Sequence, residues 1–318
     1  MHIPFLSSPF DLNPLLLLLT GFCVGTLSSF FGIGGGWLIT PALHILGLPM
    51  PYAIGTSLVY IFITSILGTA RHRKLKNVSF LSGLIIGTSS IAGVLGGKRL
   101  ILHLEKMGSV DTWVRILYML LLTTVGLSML ISKRLRVDQA GGAPKKGTIP
   151  PFITVPVDMS SAMQISLPLL VAIGLLVGAL SSTMGVGGGF VLFPLLIYAL
   201  GFPVTLAIGT SLFSVLITGA QGAVVYMLAG KVDWSGILYL TATTVIGIFI
   251  GSIATKRINP ERIKVLFAST VLGGTLAVLF KQLDLRLIDS IVIFGIALGS
   301  TCAILYTAFL KKSREMDL

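Results

Sequence analysis

Nine stretches of this chain, at 14–32, 51–70, 78–97, 116–132, 165–185, 204–230, 236–255, 265–280 and 290–310, contain no Asp, Glu, Lys or Arg. A helix needs about 20 mostly apolar residues to cross the hydrocarbon of a bilayer. A chain with this many such runs reads as an all-α integral membrane protein. Composition closes off the alternative of a soluble protein with a very large core: 54% of the residues are hydrophobic and 11% charged, where a soluble domain carries about a quarter charged residues. Two further apolar runs, 37–46 and 190–200, are too short to span alone, and each follows a cluster of glycines.

The second constraint is a duplication. The segment GFCVGTLSSFFGIGGGWLITPALHILGLPMPYAIGTSL at 21–58 aligns with GLLVGALSSTMGVGGGFVLFPLLIYALGFPVTLAIGTSL at 174–212, at an offset of 153 with one extra residue in the second copy. Gly21 pairs with Gly174, Gly25 with Gly178, Ser28-Ser29 with Ser181-Ser182, Gly34-Gly35-Gly36 with Gly187-Gly188-Gly189, Pro41 with Pro194, and Thr56-Ser57 with Thr210-Ser211. Internal repeats of this kind, in a membrane chain, are the mark of folds built from two related halves.

The positive charge suggests how the halves are set. The net charge is +12, but Lys and Arg cluster between the apolar runs, as they do where they fix membrane orientation, and not on a soluble face that would bind nucleic acid. Arg71, Arg73, Lys74 and Lys76 follow one run of the first half, whereas the equivalent place in the second half has only Lys231. The two loops are expected on opposite sides, which requires inverted topology. With Arg71–Lys76 in the cytoplasm, and each long-plus-short pair around a glycine cluster entering and leaving on one side, 16 of the 23 basic residues become cytoplasmic. The expected architecture is two inverted-topology repeats with discontinuous, re-entrant helices: about seven full spans plus two helix-break-short-helix pairs. The N-terminal repeat covers 1–132, a cytoplasmic linker 133–163, the C-terminal inverted repeat 164–286, and an extra transmembrane helix 287–318. The linker contains Gly141-Gly142, Pro144-Lys145-Lys146 and Pro150-Pro151, the composition of a solvated connection. The N-terminus is expected outside and the C-terminus in the cytoplasm. Residues 1–13 lack Lys and Arg and do not read as a cleaved signal peptide.

The glycine clusters FGIGGG at 31–36 and MGVGGG at 184–189 sit where a long apolar run gives way to a short one. Glycine costs a helix about 1 kcal/mol against alanine, so these clusters are expected to break it. A break inside hydrocarbon is tolerated only within protein or beside a water-filled cavity. A short helix starting after the break turns its free N–H groups and the positive end of its dipole back toward it, an anion site that needs no charged side chain. Gly34, Gly35, Gly36, Gly187, Gly188 and Gly189 are therefore candidate binding residues. The glycines at spacings of four, Gly21/Gly25, Gly93/Gly97, Gly174/Gly178 and Gly247/Gly251, read instead as close helix packing. Neither cluster is a nucleotide-binding loop, because no strand precedes it and no GK[ST] follows.

Uncharged donors flank both clusters: Ser28, Ser29, Ser181, Ser182 and Thr183 before them, and Thr56, Ser57, Thr210 and Ser211 after. Such hydroxyls either bond back to their own helix or line a site, and both readings stand for the duplicated set. Gln221 has Leu67 as its counterpart and is a weaker candidate. His44, opposite Ile197, reads as an interfacial residue, and His72 as a loop anchor. With no Asp, Glu, Lys or Arg inside a spanning run, a carboxylate proton relay and a cation substrate are disfavoured. Cys23 and Cys302 show no metal or redox spacing. No nucleophile–base pair, HExxH or paired carboxylates occur in the runs, so no catalytic residue, no metal and no cofactor is expected and the chain is not read as an enzyme.

The doubled SSxxGxGGG…P…GxP…AxGTSL block, with the HRKLKNV loop at 72–78, resembles the sulfite exporter TauE/SafE family over nearly the whole chain. That resemblance implies a multi-pass carrier in the bacterial inner (cell) membrane, exporting a small sulfur-containing anion such as sulfite, sulfoacetate or another organosulfonate. Thiosulfate-uptake relatives are thought to use cysteines along the path. Only Cys23 lies near a glycine cluster here, and its counterpart is Leu176, which favours reversible binding of an intact anion. Import of thiosulfate or sulfate, or an accessory role without transport, are the competing readings. The expected partners are the anion and the lipid bilayer, with no nucleic acid; a homodimer is compatible with the sequence.

Overall fold

The computed structural model describes residues 13–131, 154–156, 164–282 and 286–310. The chain runs through α1 (Pro14–Phe31), α2 (Gly36–Ile45), α3 (Met50–Lys74), α4 (Phe80–Lys106) and α5 (Val110–Ile131). After a small antiparallel pair, β1 (Thr154–Pro156) with β2 (Gln164–Ser166), come α6 (Leu167–Met184), α7 (Gly189–Tyr198), α8 (Val204–Leu228), α9 (Trp234–Arg257) and α10 (Pro260–Gln282). The last helix, α11 (Arg286–Leu305), ends in a π-helical turn at Tyr306–Leu310. Apart from Thr154–Pro156, the expected linker lies outside the described residues, as do Lys133, Arg134, Arg136, Lys145, Lys146, Lys311, Lys312 and Arg314.

Among the described residues, nine helices are long and apolar enough to cross a membrane: α1, α3, α4, α5, α6, α8, α9, α10 and α11. Their lipid faces are visible as exposed apolar side chains. Leu84, Ile91 and Leu95 project from α4, and Leu238, Val245, Ile246 and Phe249 from α9. On a water-soluble surface so much exposed apolar area would mark an interface or an aggregation hazard; on a multi-pass membrane protein it faces acyl chains. Local chemistry sets the helix starts. Asn13 Oδ1 accepts from Leu15 N at 3.0 Å ahead of Pro14, and Asp233 Oδ2 accepts from Gly236 N at 3.0 Å at the start of α9.

Several helices outrun their charge-free stretches. α3 carries Arg71, His72, Arg73 and Lys74 in its last turn, and α4 continues past Gly97 through Lys98, Arg99, His103 and Glu105. Arg71, Arg73 and Lys74 of the basic cluster therefore sit on a helix end, and Lys76 follows in the turn. Cations at a helix C-terminus complement its dipole, and their aliphatic stems tolerate the membrane boundary.

The two halves are interleaved. α1 packs along α9, and its counterpart α6 packs along α4; α3 packs on α8 and α5 on α10. The small residues make these approaches close. A Cβ at Gly25 would stand 2.7 Å from Thr244 O, and one at Gly97 would stand 2.7 Å from Ala179 O. Gly21 meets Leu240 O as Gly174 meets Ile86 O, and Gly247 meets Phe22 O as Gly93 meets Leu175 O. These glycines serve backbone contact between helices, as their four-residue spacing predicts.

Candidate functional site

The two glycine clusters form matching breaks. After α1, Gly32 (φ +77°), Gly34 (+72°) and Gly35 (+82°) are left-handed; after α6, so are Gly185 (+69°), Gly187 (+69°) and Gly188 (+75°). A side chain in that region costs roughly 1–2 kcal/mol, which accounts for three glycines in each cluster. Gly32 N closes onto Ser28 O at 2.9 Å and Gly185 N onto Ser181 O at 2.8 Å, stopping α1 and α6. Gly35 and Gly188 then cap the short helices α2 and α7. The fourth glycine of each cluster answers to a different demand. A Cβ on Gly36 would stand 2.7 Å from the backbone of Val186, and one on Gly189 would stand 2.6 Å from Ile33 O. Each break is thus pressed against the other, deep in the protein.

Two side chains from the central helix pair lie against both breaks. Ile61 of α3 and Val215 of α8 are each within contact of the Cβ positions of Gly34 and Gly187. They occupy equivalent places in the two copies and are fully buried.

The flanking hydroxyls divide into two groups. Thr56 and Thr210 hold loops: Thr56 Oγ1 accepts from Asp233 N at 2.9 Å, and Thr210 Oγ1 accepts from Ser79 N at 3.0 Å. Ser57 Oγ lies 2.9 Å from Thr40 Oγ1, which is also 3.0 Å from Gly185 O, and Ser211 Oγ donates to Gly189 O at 3.4 Å. These bonds tie α3 and α8 to the break region. By contrast, Ser28, Ser29, Ser181 and Ser182 are buried and their hydroxyls have no hydrogen-bond partner among the described residues. Burying a hydroxyl without a partner costs about 1–3 kcal/mol, and here the cost recurs at the same place in both copies. Ser28 stands beside the first break, its Cβ 3.5 Å from the Cβ position of Gly35, whereas Ser182 Cβ lies 3.0 Å from that of Gly97 on α4.

Other groups named from the sequence make bonds within the fold. Gln221 Nε2 donates to Gly87 O at 3.1 Å, and its Oε1 lies 3.1 Å from Ser90 Oγ. His44 Nδ1 is 3.0 Å from Leu48 O at the end of α2. His72 is an anchor, though a buried one on α3: its Nε2 lies 2.9 Å from Ser29 O. Thr183 Oγ1 bonds back to Ala179 O at 2.9 Å. Cys23 is a buried free thiol and Cys302 an exposed one. Among the described residues no three His, Cys, Asp or Glu side chains come together as metal ligands. Ile61, Val215, Thr40 and Ser65 escape the sequence reading. For Ile61 and Val215 the signal is present, because the duplicated register, continued past Leu58 and Leu212, makes them a pair.

The chemistry available is that of a neutral donor set: hydroxyls and the N-terminal ends of α2 and α7, whose first N–H groups have no partner within their own helix. Among the described residues, the atoms nearest the Cβ positions of Gly34–Gly36 and Gly187–Gly189 come from uncharged residues.

A family model described as sulfite exporter TauE/SafE matches residues 17–278. The chain is 28% identical over 260 residues to a probable membrane transporter protein, YunE, of Bacillus subtilis, covering 78% of this chain and 90% of the relative. It is 27% identical over 279 residues to the probable membrane transporter protein MJ0441 of Methanocaldococcus jannaschii, covering 81% and 92%. A probable membrane transporter protein of Haemophilus influenzae is 30% identical over 279 residues, covering 82% and 92%. No solved structure matches the chain.

Proposed function

The chain belongs to the sulfite exporter TauE/SafE family and is a membrane transporter, and from that premise we propose that it is a secondary carrier exporting a small sulfur-containing anion, such as sulfite or an organosulfonate like sulfoacetate, by alternating access. The observation that carries this reading is the meeting of the two breaks, Gly36 on Val186 and Gly189 on Ile33. An anion held between Gly34–Gly36 and Gly187–Gly189 would take hydrogen bonds from the short-helix ends and from Ser28, Ser29, Ser181 and Ser182. Neutral donors suit a carrier, since binding must be strong enough to enter and weak enough to leave.

The two halves act, in this proposal, as inverted repeats, 1–132 and 164–286, with α1–α2 and α6–α7 as re-entrant pairs and α11 added outside the repeat. Support comes from the exchanged packing of α1 on α9 and α6 on α4. It comes also from the paired loop tethers, Thr56 to Asp233 and Thr210 to Ser79. Rocking of one half against the other around the breaks would open the site to each side in turn. Arg71 Nε donates to Ser252 Oγ at 3.1 Å, so the basic end of α3 and the α9 end bearing Lys256 and Arg257 lie together. That end is assigned to the cytoplasm by the positive-inside rule, in the inner membrane of a bacterium, with the N-terminus outside.

Purified protein in proteoliposomes should exchange radiolabelled sulfite or sulfoacetate with saturation. Gly35→Leu and Gly188→Leu, which force a side chain into a left-handed position against Val24 and Val177 respectively, should abolish that exchange. Absence of saturable flux for sulfite, sulfoacetate, thiosulfate and sulfate alike would remove the transport reading. Saturation by thiosulfate or sulfate alone would move the substrate to the inorganic anions.

A further inference from the structure

Beyond Leu58 and Leu212 the duplicated register continues at a spacing of 154, and there the two halves stop matching chemically. Ser65, Thr69 and His72 on α3 stand where α8 has Gly219, Ala223 and Tyr226. The three polar residues recur at a spacing of four and three, so they share one helix face and extend over about 10 Å of helix. That face looks onto α1 and the first break. Ser65 Oγ is 3.4 Å from the Cβ position of Gly34, and His72 Nε2 is 2.9 Å from Ser29 O.

All three are buried, with exposures of 0%, 7% and 0%. Ser65 Oγ, Thr69 Oγ1 and His72 Nδ1 have no hydrogen-bond partner among the described residues, and neither do the adjoining hydroxyls of Ser28 and Ser29. Hydroxyls in spanning helices ordinarily bond back to their own backbone, as Thr183 does. This file does not. In the second half Tyr226 reproduces only the anchor, its hydroxyl donating to Ser182 O at 2.7 Å. His72 makes the same anchoring bond with Nε2, which must carry the ring hydrogen to face a carbonyl. Nδ1 is left over as an acceptor for an O–H group. Around His72, in the last turn of α3, lie Arg71, Arg73 and Lys74, with Lys256 and Arg257 at the adjoining end of α9.

Building on the transport reading above, we propose that Ser65, Thr69 and His72, together with Ser28 and Ser29, line the passage by which a partly hydrated oxyanion moves between the glycine breaks and the basic end of the protein. The carrier is therefore unequal in its two halves: α3 presents Ser65, Thr69 and His72 where α8 presents Gly219, Ala223 and Tyr226. The hydroxyls donate to the oxyanion, and Nδ1 accepts from one of its waters or from the O–H of its protonated form. The basic rim raises the local anion concentration at the mouth.

The second half itself supplies the test. The variant Ser65→Gly/Thr69→Ala/His72→Tyr writes the α8 lining into α3 and keeps an anchor to Ser29 O, so a purely structural role predicts an active, stable protein. We expect sulfite and sulfoacetate exchange in proteoliposomes to slow by about tenfold or more, equivalent to about 1.4 kcal/mol, with the unfolding midpoint unchanged. Exchange at the wild-type rate overturns the proposal. A second variant serves if the first does not fold: Thr69→Cys in a Cys23→Ala/Cys302→Ala background, exposed to a membrane-impermeant anionic thiol reagent from each side. Labelling from the basic end, slowed by sulfoacetate, supports the passage, and a thiol inert from both sides overturns it. Wild-type protein with no saturable flux would sink the transport reading, while the labelling pattern would still report on the passage.

Discussion

Gly34 and Gly187 concentrate the demands placed on single residues in this protein. Each is left-handed, and each has its Cβ position against methyl groups of Ile61 and Val215. Gly34→Ala should lose stability twice over, by roughly 1–2 kcal/mol for the backbone conformation and by a further overpacking term of about 1–3 kcal/mol. The two contributions are separable. Val215 Cγ1 stands 2.7 Å from the added methyl and Ile61 Cγ2 3.0 Å, so Val215→Ala in the same chain removes the closer collision and leaves the backbone cost and the milder contact with Ile61. The double variant should be more stable than the sum of the single effects allows, by about 1 kcal/mol or more, as contacting residues couple. Thermal unfolding of the two singles and the double in one detergent measures this. Strict additivity would mean that the breaks do not press on α8 as described.

Among the elements, the longest-lived signal in the sequence is the helix itself. Each apolar run corresponds to a helix, and both short runs after the glycine clusters became short helices, α2 and α7. The ends were less legible, because a run of charge-free residues marks where hydrocarbon begins and not where the helix stops; hence Arg71–Lys74 ride on α3. The division of labour among hydroxyls was not legible at all. Thr56 and Ser28 are equally duplicated and equally polar, but Thr56 holds Asp233 N while Ser28 Oγ goes unpaired, a difference set by neighbours far away in sequence. The asymmetry of Ser65, Thr69 and His72 was present in the sequence, beyond the point at which the duplicated block loses identity. The tethers give a check at this scale. Thr56→Val removes the acceptor for Asp233 N, and Thr210→Val removes the bond from Ser79 N. Each should cost about 1–3 kcal/mol, the range for losing a buried hydrogen bond. The two losses should be similar in size and additive, since the sites share no partner. Unequal losses differing by more than about 2 kcal/mol would mean that the two loops are not held in equivalent ways.

For the whole molecule, the consequence of exchanged packing is that neither half encloses its own interior. α1 lies on α9 and α6 on α4, so the glycine face of each first helix is met by a helix from the other copy. Polar groups follow the same pattern. Tyr60 Oη pairs with Thr244 Oγ1 at 2.8 Å, Tyr118 Oη donates to Met184 O at 2.8 Å, and Thr255 Oγ1 donates to Phe30 O at 3.2 Å, each bond crossing between halves. A first half made alone would bury Tyr60 and Tyr118 against lipid without those partners, in a solvent that offers no hydrogen bonds. In hydrocarbon, small-residue packing and interhelical bonds are the main forces joining helices, and here most of them join one half to the other. Cutting the chain between 132 and 153 should therefore leave two co-expressed fragments that co-purify as one particle. Either fragment expressed by itself should be degraded or aggregate. Size-exclusion profiles of each fragment and of the pair, from membranes solubilised in the same detergent, decide the matter. A first half that is monodisperse on its own would show that its interior is complete without α6 and α9.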